Sequence, residues 1–419
     1  MSEQKRFLSV ENLLPRRRVR FVAWCVIVVS VVLLAASFLL ARGGHTPAGT
    51  RLGGDFPQFY VAGQILTKYG PKNLYDLALQ SRLFLQLMPG EKAGLPFAYP
   101  PIVAVAVWPL SGLPYAAAAL IWAGLSAGLY ALGLALLWQS CGAIPRRDRW
   151  LAIWISLAFE PFVFECIHGG QISALAFAAV CAAIFLDRRG RTFAAGIALG
   201  VLAYKPTLLV LIPLAVLLSR QWKTLLGLAT TVAVGALASV WSVGPTACGQ
   251  FLKMMGTYTR AVGAGDGFPT WKYVDVCSFV RLALHRPMVS LWMVGLLVGL
   301  MVLLVRRGSA VVNRPAWAWA IGATLVVNLY VGIYDTVLVA AVLWLMADAS
   351  YRQYGRLSAE LAWLMAAVFV TPWITQPLAR YGGVQLYTLV LVLVAIWAAY
   401  GGVKTIDREA VSVAPNPPR

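Results

Sequence analysis

Four short stretches of this chain bring together residue types that can run a group transfer. Asp55 stands in Gly53-Gly54-Asp55-Phe56, and His168 opens His168-Gly169-Gly170-Gln171. Lys205 precedes Pro206, and Tyr334-Asp335 follow shortly after Gly332. Glu160 and Glu165 add two more carboxyls just before the His168 stretch. One carboxylate, one lysine and an apolar surround suit transfer from a lipid-phosphate donor. A hydroxyl is a weak nucleophile, so a carboxylate must take its proton. The leaving group is a phosphate, so a cation must offset its charge. The lipid tail of such a donor gives a reason for the enzyme to sit in a bilayer.

Each of these residues also has an ordinary reading. Asp55 fits a turn beside glycines. Asp335 fits a helix N-terminus, where negative charge is favourable. Lys205 can snorkel to a surface, His168 can cap or pack, and Glu160 and Glu165 can meet water at an interface. The functional reading gains weight from polar groups being costly at membrane depth.

The elements that must position these residues are apolar. Of the 419 residues 60% are hydrophobic and 12% charged, against about 25% charged in soluble chains. Runs such as 22–40 and 115–138 reach the roughly 20 residues that cross a bilayer as helix. The pattern predicts an all-α, polytopic membrane protein with spans at 20–41, 115–138, 149–165, 170–187, 192–204, 206–219, 223–243, 288–305, 315–331, 334–348, 358–374 and 382–400. The twelve spans divide the chain into a cytoplasmic tail (1–19), a catalytic module (20–243) with a first external loop (42–98), a second external loop (244–287), C-terminal helices (288–404) and a disordered tail (405–419).

Charge orders these spans. With the N-terminus in the cytoplasm, Arg16/Arg17/Arg18/Arg20, Arg146/Arg147/Arg149, Arg188/Arg189/Arg191, Arg220/Lys223, Arg306/Arg307/Arg314, Arg352/Arg356 and Lys404/Arg408 all fall inside, the positive-inside pattern. Asp55, His168, Lys205, Asp335 and the Glu160/Glu165 pair then converge on the opposite face. Residues 97–113 are apolar, short and bounded by prolines. A re-entrant or membrane-surface helix keeps the charge order; a short span is the alternative. Pro206 disfavours helix at Lys205, so 192–219 reads as a hairpin with Lys205 at its tip. In the first external loop, 73–87 spaces Leu74, Leu77, Leu83, Phe84 and Leu87 as an amphipathic surface helix.

The formal charge of +19 follows from these topology signals, and no basic stripe with interleaved aromatics suggests nucleic acid. Cys248 and Cys277 share the second external loop and could pair, which spacing leaves open. No metal-ligand motif, P-loop or nucleophile elbow appears, and no cofactor is expected.

The stretches GGDFPQFYVAGQILTKYGPKNLYD (53–76), FAYPPIVAVAVWPLSGLP (97–114), HGGQISAL (168–175), GIALGVLAYKPTLLVLIPL (196–214) and NLYVGIYDTVLV (328–339) together resemble glycosyltransferase family 87. This family comprises GT-C-type membrane enzymes that include polyprenol-phosphate-mannose-dependent α-mannosyltransferases. The resemblance covers the first half of the chain and one patch of the second. It implies a GT-C fold with the first external loop over the site and Asp55 as the catalytic general base. It implies a polyprenyl-phosphate sugar donor, most often mannose, a lipid or glycan acceptor, and no metal. Lys205 would contact the donor phosphate, with Arg260 or Lys272 beside it. Tyr60, Tyr99, His168, Gln171, Tyr334 and Asp335 would line the site. The expected place is a bacterial inner membrane, with the site facing the periplasm or exterior.

The rival from another class is a transporter or glycolipid flippase. It should carry Gly/Pro-broken helices at matching places in two halves. Here the breaks at 97–114 and 204–206 have no evident counterpart in the second half.

Overall fold

The structure is a computed structural model and describes residues 15–209, 211–264, 269–284 and 317–412. Helices make up nearly all its regular structure. Among the described residues there is no strand, only three isolated bridges. The chain is an all-helical membrane protein.

Five helices are long and apolar enough to cross a bilayer. They are α1 (Arg16–Leu39), α5 (Tyr115–Ser140), the first part of α10 (Trp222–Ala264), α13 (Val339–Tyr354) with the 3₁₀ turn Ile333–Leu338 before it, and α14 (Ala359–Gly382). A sixth candidate is a bent pair, α6 (Arg146–Leu157) followed by a π-helical segment (Pro161–His168), with 45° between them. Pro161 accounts for that break, because it has no amide hydrogen for the preceding turn. The other expected spans fold as shorter helices: α7 (Ser173–Arg188), α8 (Thr192–Gly200), α9 (Ile212–Leu218), α12 (Trp317–Val326) and the apolar part of α15 (Leu386–Ser412). Twelve full-length spans are therefore not what forms among the described residues; prolines, glycines and polar residues cut the apolar runs short. The expected span 288–305 lies outside the described residues.

Two clusters of polar residues mark the two ends of the bundle. At one end Asp348, nearly fully buried, pairs with Arg188 and Arg352 at 3.1 Å each and accepts the Ala143 amide at 2.9 Å. Asp148 pairs there with Arg16 at 2.8 Å and accepts the Tyr351 hydroxyl at 2.7 Å. These arginines belong to the clusters that charge placed inside. The other end holds Asp55. α5 joins the two: Tyr115 donates to the Leu52 carbonyl at 2.5 Å, and Ser140 accepts Arg188 at the far end. Its 26 residues cover about 39 Å at ~1.5 Å per residue, enough to cross.

The first external region is built against this frame. α2 (Phe56–Lys68) carries Val61 and Ile65, which pack with Leu79, Leu83 and Phe84 of α3 (Leu77–Leu87). Asp76 caps α3 through the Leu79 amide at 3.0 Å. The amphipathic helix expected at 73–87 thus buries its apolar face on α2, while Leu77 stays exposed. α4 (Pro101–Val107), extended by a 3₁₀ turn to Gly112, runs beside α2. Both ends of this segment are tied to the first external region. The Phe97 amide donates to Gln80 at 2.8 Å, and the Leu113 carbonyl accepts Tyr60 at 2.8 Å.

Gly244, with φ +83°, and Pro245 break α10 in two. The span expected at 223–243 ends at this break. The expected external loop begins instead as helix, through Ala264. α8 and α10 cross with almost no side chains between them: a Cβ on Gly196 would meet the Thr224 carbonyl at 2.0 Å, the close approach small residues allow between membrane helices. Cys248, on α10, carries a free thiol, so the possible bridge to Cys277 is not formed.

Candidate active site

Two glycine-rich turns clasp each other, and their grip sets Asp55. The Asp55 amide donates to the Gly169 carbonyl at 2.8 Å, and the Trp122 indole holds the Gly170 carbonyl at 2.9 Å. Gly54 (φ +56°) and Gly170 (φ +64°) lie in the left-handed region that glycine adopts freely. A Cβ on Gly54 would stand 2.3 Å from Gly169, and one on Gly170 would stand 2.0 Å from the Gly53 carbonyl. Only glycines fit this contact. It is the physical reason for Gly-Gly in both stretches.

Asp55 occupies the N-cap position of α2, but its side chain makes no capping bond. The carboxylate turns away from its own helix. One oxygen accepts the Gln171 amide at 2.5 Å, and the other lies 3.3 Å from the Arg51 guanidinium. Its side chain keeps 30% exposure. Burial pushes its pKa above the ordinary carboxylate value; the Arg51 charge, then the Lys272 charge, then the Gln171 hydrogen bond pull it down. The turn-residue reading does not account for a partly exposed carboxylate held by Gln171 and Arg51.

Two tyrosines lie near Asp55. Tyr99 lies close enough to feel the charges of both Asp55 and Asp335, and its ring stacks 6.4 Å from Tyr204. Tyr258, on α10, also feels Asp55, and packs on Tyr330 at 5.8 Å. Glu165 lies within reach of Asp55 and Lys272 and accepts Gln376 of α14 at 2.7 Å. The nearby Glu160 leaves one carboxyl oxygen buried without a hydrogen-bond partner.

Lys205 stands in a different setting from the one expected. Its ammonium lies 2.5 Å from Asp335, whose side chain is fully buried and also accepts Ser173 at 2.8 Å. The Tyr334 ring lies 4.4 Å from the same ammonium. Breaking a buried pair costs about 3–5 kcal/mol, so Asp335 fixes the position of Lys205. The break at Lys205-Pro206 does bring it to this end of the bundle.

Other expected site residues divide. Gln171 touches Asp55. His168 bonds to Ser30 of α1 at 3.2 Å and stacks on Phe164, so it faces the first helix. Tyr60 packs against Tyr115 and uses its hydroxyl on Leu113; it holds the 97–113 segment. Arg260 is exposed near the end of α10 and has no part in the contacts that hold Asp55. Lys272 is exposed, acts electrostatically on Asp55 and Glu165, and lies 5.3 Å from the Trp271 ring. Sequence reasoning missed Arg51, four residues before Asp55, though its spacing gave the signal. It also missed Arg380, which lies 5.4 Å from the same Trp271 ring; no sequence signal joins α14 to residue 271.

The arrangement brings a partly exposed carboxylate, cations and tyrosines together at one end of a membrane bundle. The sequence model of glycosyltransferase family 87 matches residues 97–332, more than half of the chain. The chain belongs to glycosyltransferase family 87. Within the family-87 match lie Tyr99, Glu160, Glu165, His168, Gln171, Lys205, Arg260 and Lys272; Asp55 lies before it, and Tyr334 and Asp335 just after. This protein is therefore a glycosyltransferase, and membership in family 87 does not favour the flippase alternative. Neither curated proteins nor solved structures gave a match.

Proposed function

We propose that this family-87 enzyme transfers a hexose, mannose first among candidates, from a polyprenyl-phosphate donor to a lipid or glycan acceptor. The site works on the non-cytoplasmic face, in a bacterial inner membrane. Asp55 is the general base. The observation that carries this reading is the Asp55 carboxylate itself: released from capping, partly exposed, and held by Gln171 at 2.5 Å and Arg51 at 3.3 Å.

The acceptor hydroxyl gives its proton to Asp55 as its oxygen attacks the anomeric carbon. The bond from that carbon to the phosphate oxygen breaks on the opposite side, and the lipid phosphate leaves with the electron pair. The configuration inverts, so a β-linked donor yields an α-linked product. Gln171 and Arg51 hold both oxygens of the base, which fixes its direction before substrate arrives. Lys272 and Arg380, sharing the Trp271 ring, are the cations best able to meet the departing phosphate. Lys205 serves the site by orienting Asp335 and Tyr334.

The test is transfer by purified protein in nanodiscs. Turnover with polyprenyl-phosphate mannose and none with a sugar nucleotide is the expected result. Turnover only with the nucleotide would overturn the donor assignment.

A further inference from the structure

Between α1 and Asp55 the chain folds into a tight hairpin. Antiparallel bridges pair Arg42 with His45 and His45 with Arg51. The Thr46 amide donates to the Thr50 carbonyl at 2.7 Å, and the Leu52 amide to the Gly44 carbonyl at 2.8 Å. Residues opposed across an antiparallel pair share one face, so the hairpin sets His45 beside Arg51. The end of α3 closes on this hairpin. A Cβ on Gly44 would stand 2.8 Å from the Met88 sulfur and 3.0 Å from the Leu87 carbonyl. A turn follows, in which the Glu91 amide donates to the Met88 carbonyl at 3.3 Å, and it brings Glu91 to the hairpin.

One Glu91 oxygen lies 3.6 Å from His45 Nε2 and 3.6 Å from Arg51 Nε. The far end of the same guanidinium, Nη2, lies 3.3 Å from Asp55, and the group sits 5.9 Å from the Phe84 ring centre. Two carboxylates therefore hold different nitrogens of one planar, rigid fork. Fixing Nε at Glu91 fixes the direction in which Nη2 meets Asp55. The single positive charge is also divided between two anions. Glu91 and Arg51 keep 28% and 22% exposure, and ion pairs open to water add little to stability. Such a pair does more to aim a charge than to hold a fold.

We infer that Glu91 is a positioning residue for the Asp55 base: it holds Arg51 from behind and limits how strongly the guanidinium acts on that carboxylate. The catalytic part of this inference rests on the general-base reading above. The other groups that face Asp55 are Lys272, Gln171, Glu165, Tyr99 and Tyr258. Tyr115 lies near Arg51, and His45 is the titratable group beside Glu91. Glu91→Gln leaves all of these in place.

The test reads the Asp55 carboxyl directly, in the full chain in nanodiscs. Infrared difference spectra against Asp55→Asn, recorded across pH, give its titration midpoint in the parent, in Glu91→Gln, in Arg51→Gln and in the double variant. Gln keeps the shape of Glu91 and an oxygen for Arg51 but not the charge, so the guanidinium acts undivided on Asp55. An undivided cation favours the ionised carboxylate. The midpoint should fall by about half a pH unit, about threefold in proton affinity. The acid limb of kcat/KM should move to lower pH with it, at the parent's unfolding temperature. In the Arg51→Gln protein the same change should move neither. A midpoint that Glu91→Gln leaves unmoved or raises, or moves equally without Arg51, would overturn the inference. A midpoint that falls while the acid limb stays would uphold the hold of Glu91 on Asp55 and contradict the general-base reading instead.

Discussion

Lys205 and Asp335, 130 residues apart, form a buried ion pair of 2.5 Å at the Asp55 end of the bundle. The pair ties the break between α8 and α9 to the turn that opens α13. Lys205→Met would leave Asp335 buried and unpaired, costing about 3–5 kcal/mol. A clear fall in the unfolding temperature is expected, and Lys205→Met combined with Asp335→Asn should recover most of it. A Lys205→Met protein as stable as the parent would mean that the pair does not hold these segments together.

The glycine clasp makes a second prediction. Gly170→Ala drives a methyl toward the Gly53 carbonyl at a left-handed φ, which costs of order 1–3 kcal/mol in strain and displaces Asp55. Sugar transfer should fall at least about tenfold, since even ~1 Å of misplacement is costly. Gly190→Ala is the control. It has a similar φ of +74° but open space around the new methyl, so it should keep full activity.

Arg51 sets the pH response. Burial raises the Asp55 pKa and the Arg51 charge is the largest influence lowering it. A base acts when ionised, so activity rises with pH through that pKa. Arg51→Gln removes the lowering charge, so the acid limb of kcat/KM should move to higher pH. An unmoved or lowered limb would mean that the titrating group is not Asp55.

Lys272 and Arg380 test the leaving-group side. Replacing both with Met should reduce kcat/KM for the lipid-phosphate donor by about 10–100-fold, or ~1.4–2.7 kcal/mol of transition-state stabilisation. Steady-state kinetics in nanodiscs would measure it, and an unchanged value would remove these cations from the site.

Much of this was legible in the sequence because it rests on local rules. Gly53-Gly54-Asp55 and His168-Gly169-Gly170-Gln171 marked turns that need glycine, and charge order put them at one end. Pro206 marked a helix break that formed, whereas the breaks at Pro161 and at Gly244-Pro245 were not read from the sequence. Partner choice was less legible. Nothing in the neighbourhood of Lys205 says that it meets Asp335, or that Gln376 meets Glu165, because those contacts depend on how distant helices pack. His168 and Tyr60 had the right chemistry, but side-chain direction sent them to Ser30 and Leu113. Composition located α7, α8 and α9, but they are shorter than the roughly 20 residues of a full span.

The most direct measurement is sugar transfer from polyprenyl-phosphate mannose by Asp55→Asn protein in nanodiscs, with unfolding temperature recorded beside it. Asparagine keeps the shape and can still meet Gln171 but cannot accept the proton. Loss of at least about 100-fold in kcat, within the range of general-base catalysis, with stability retained, is the predicted result. Transfer at the parent rate by a folded Asp55→Asn protein would contradict the account.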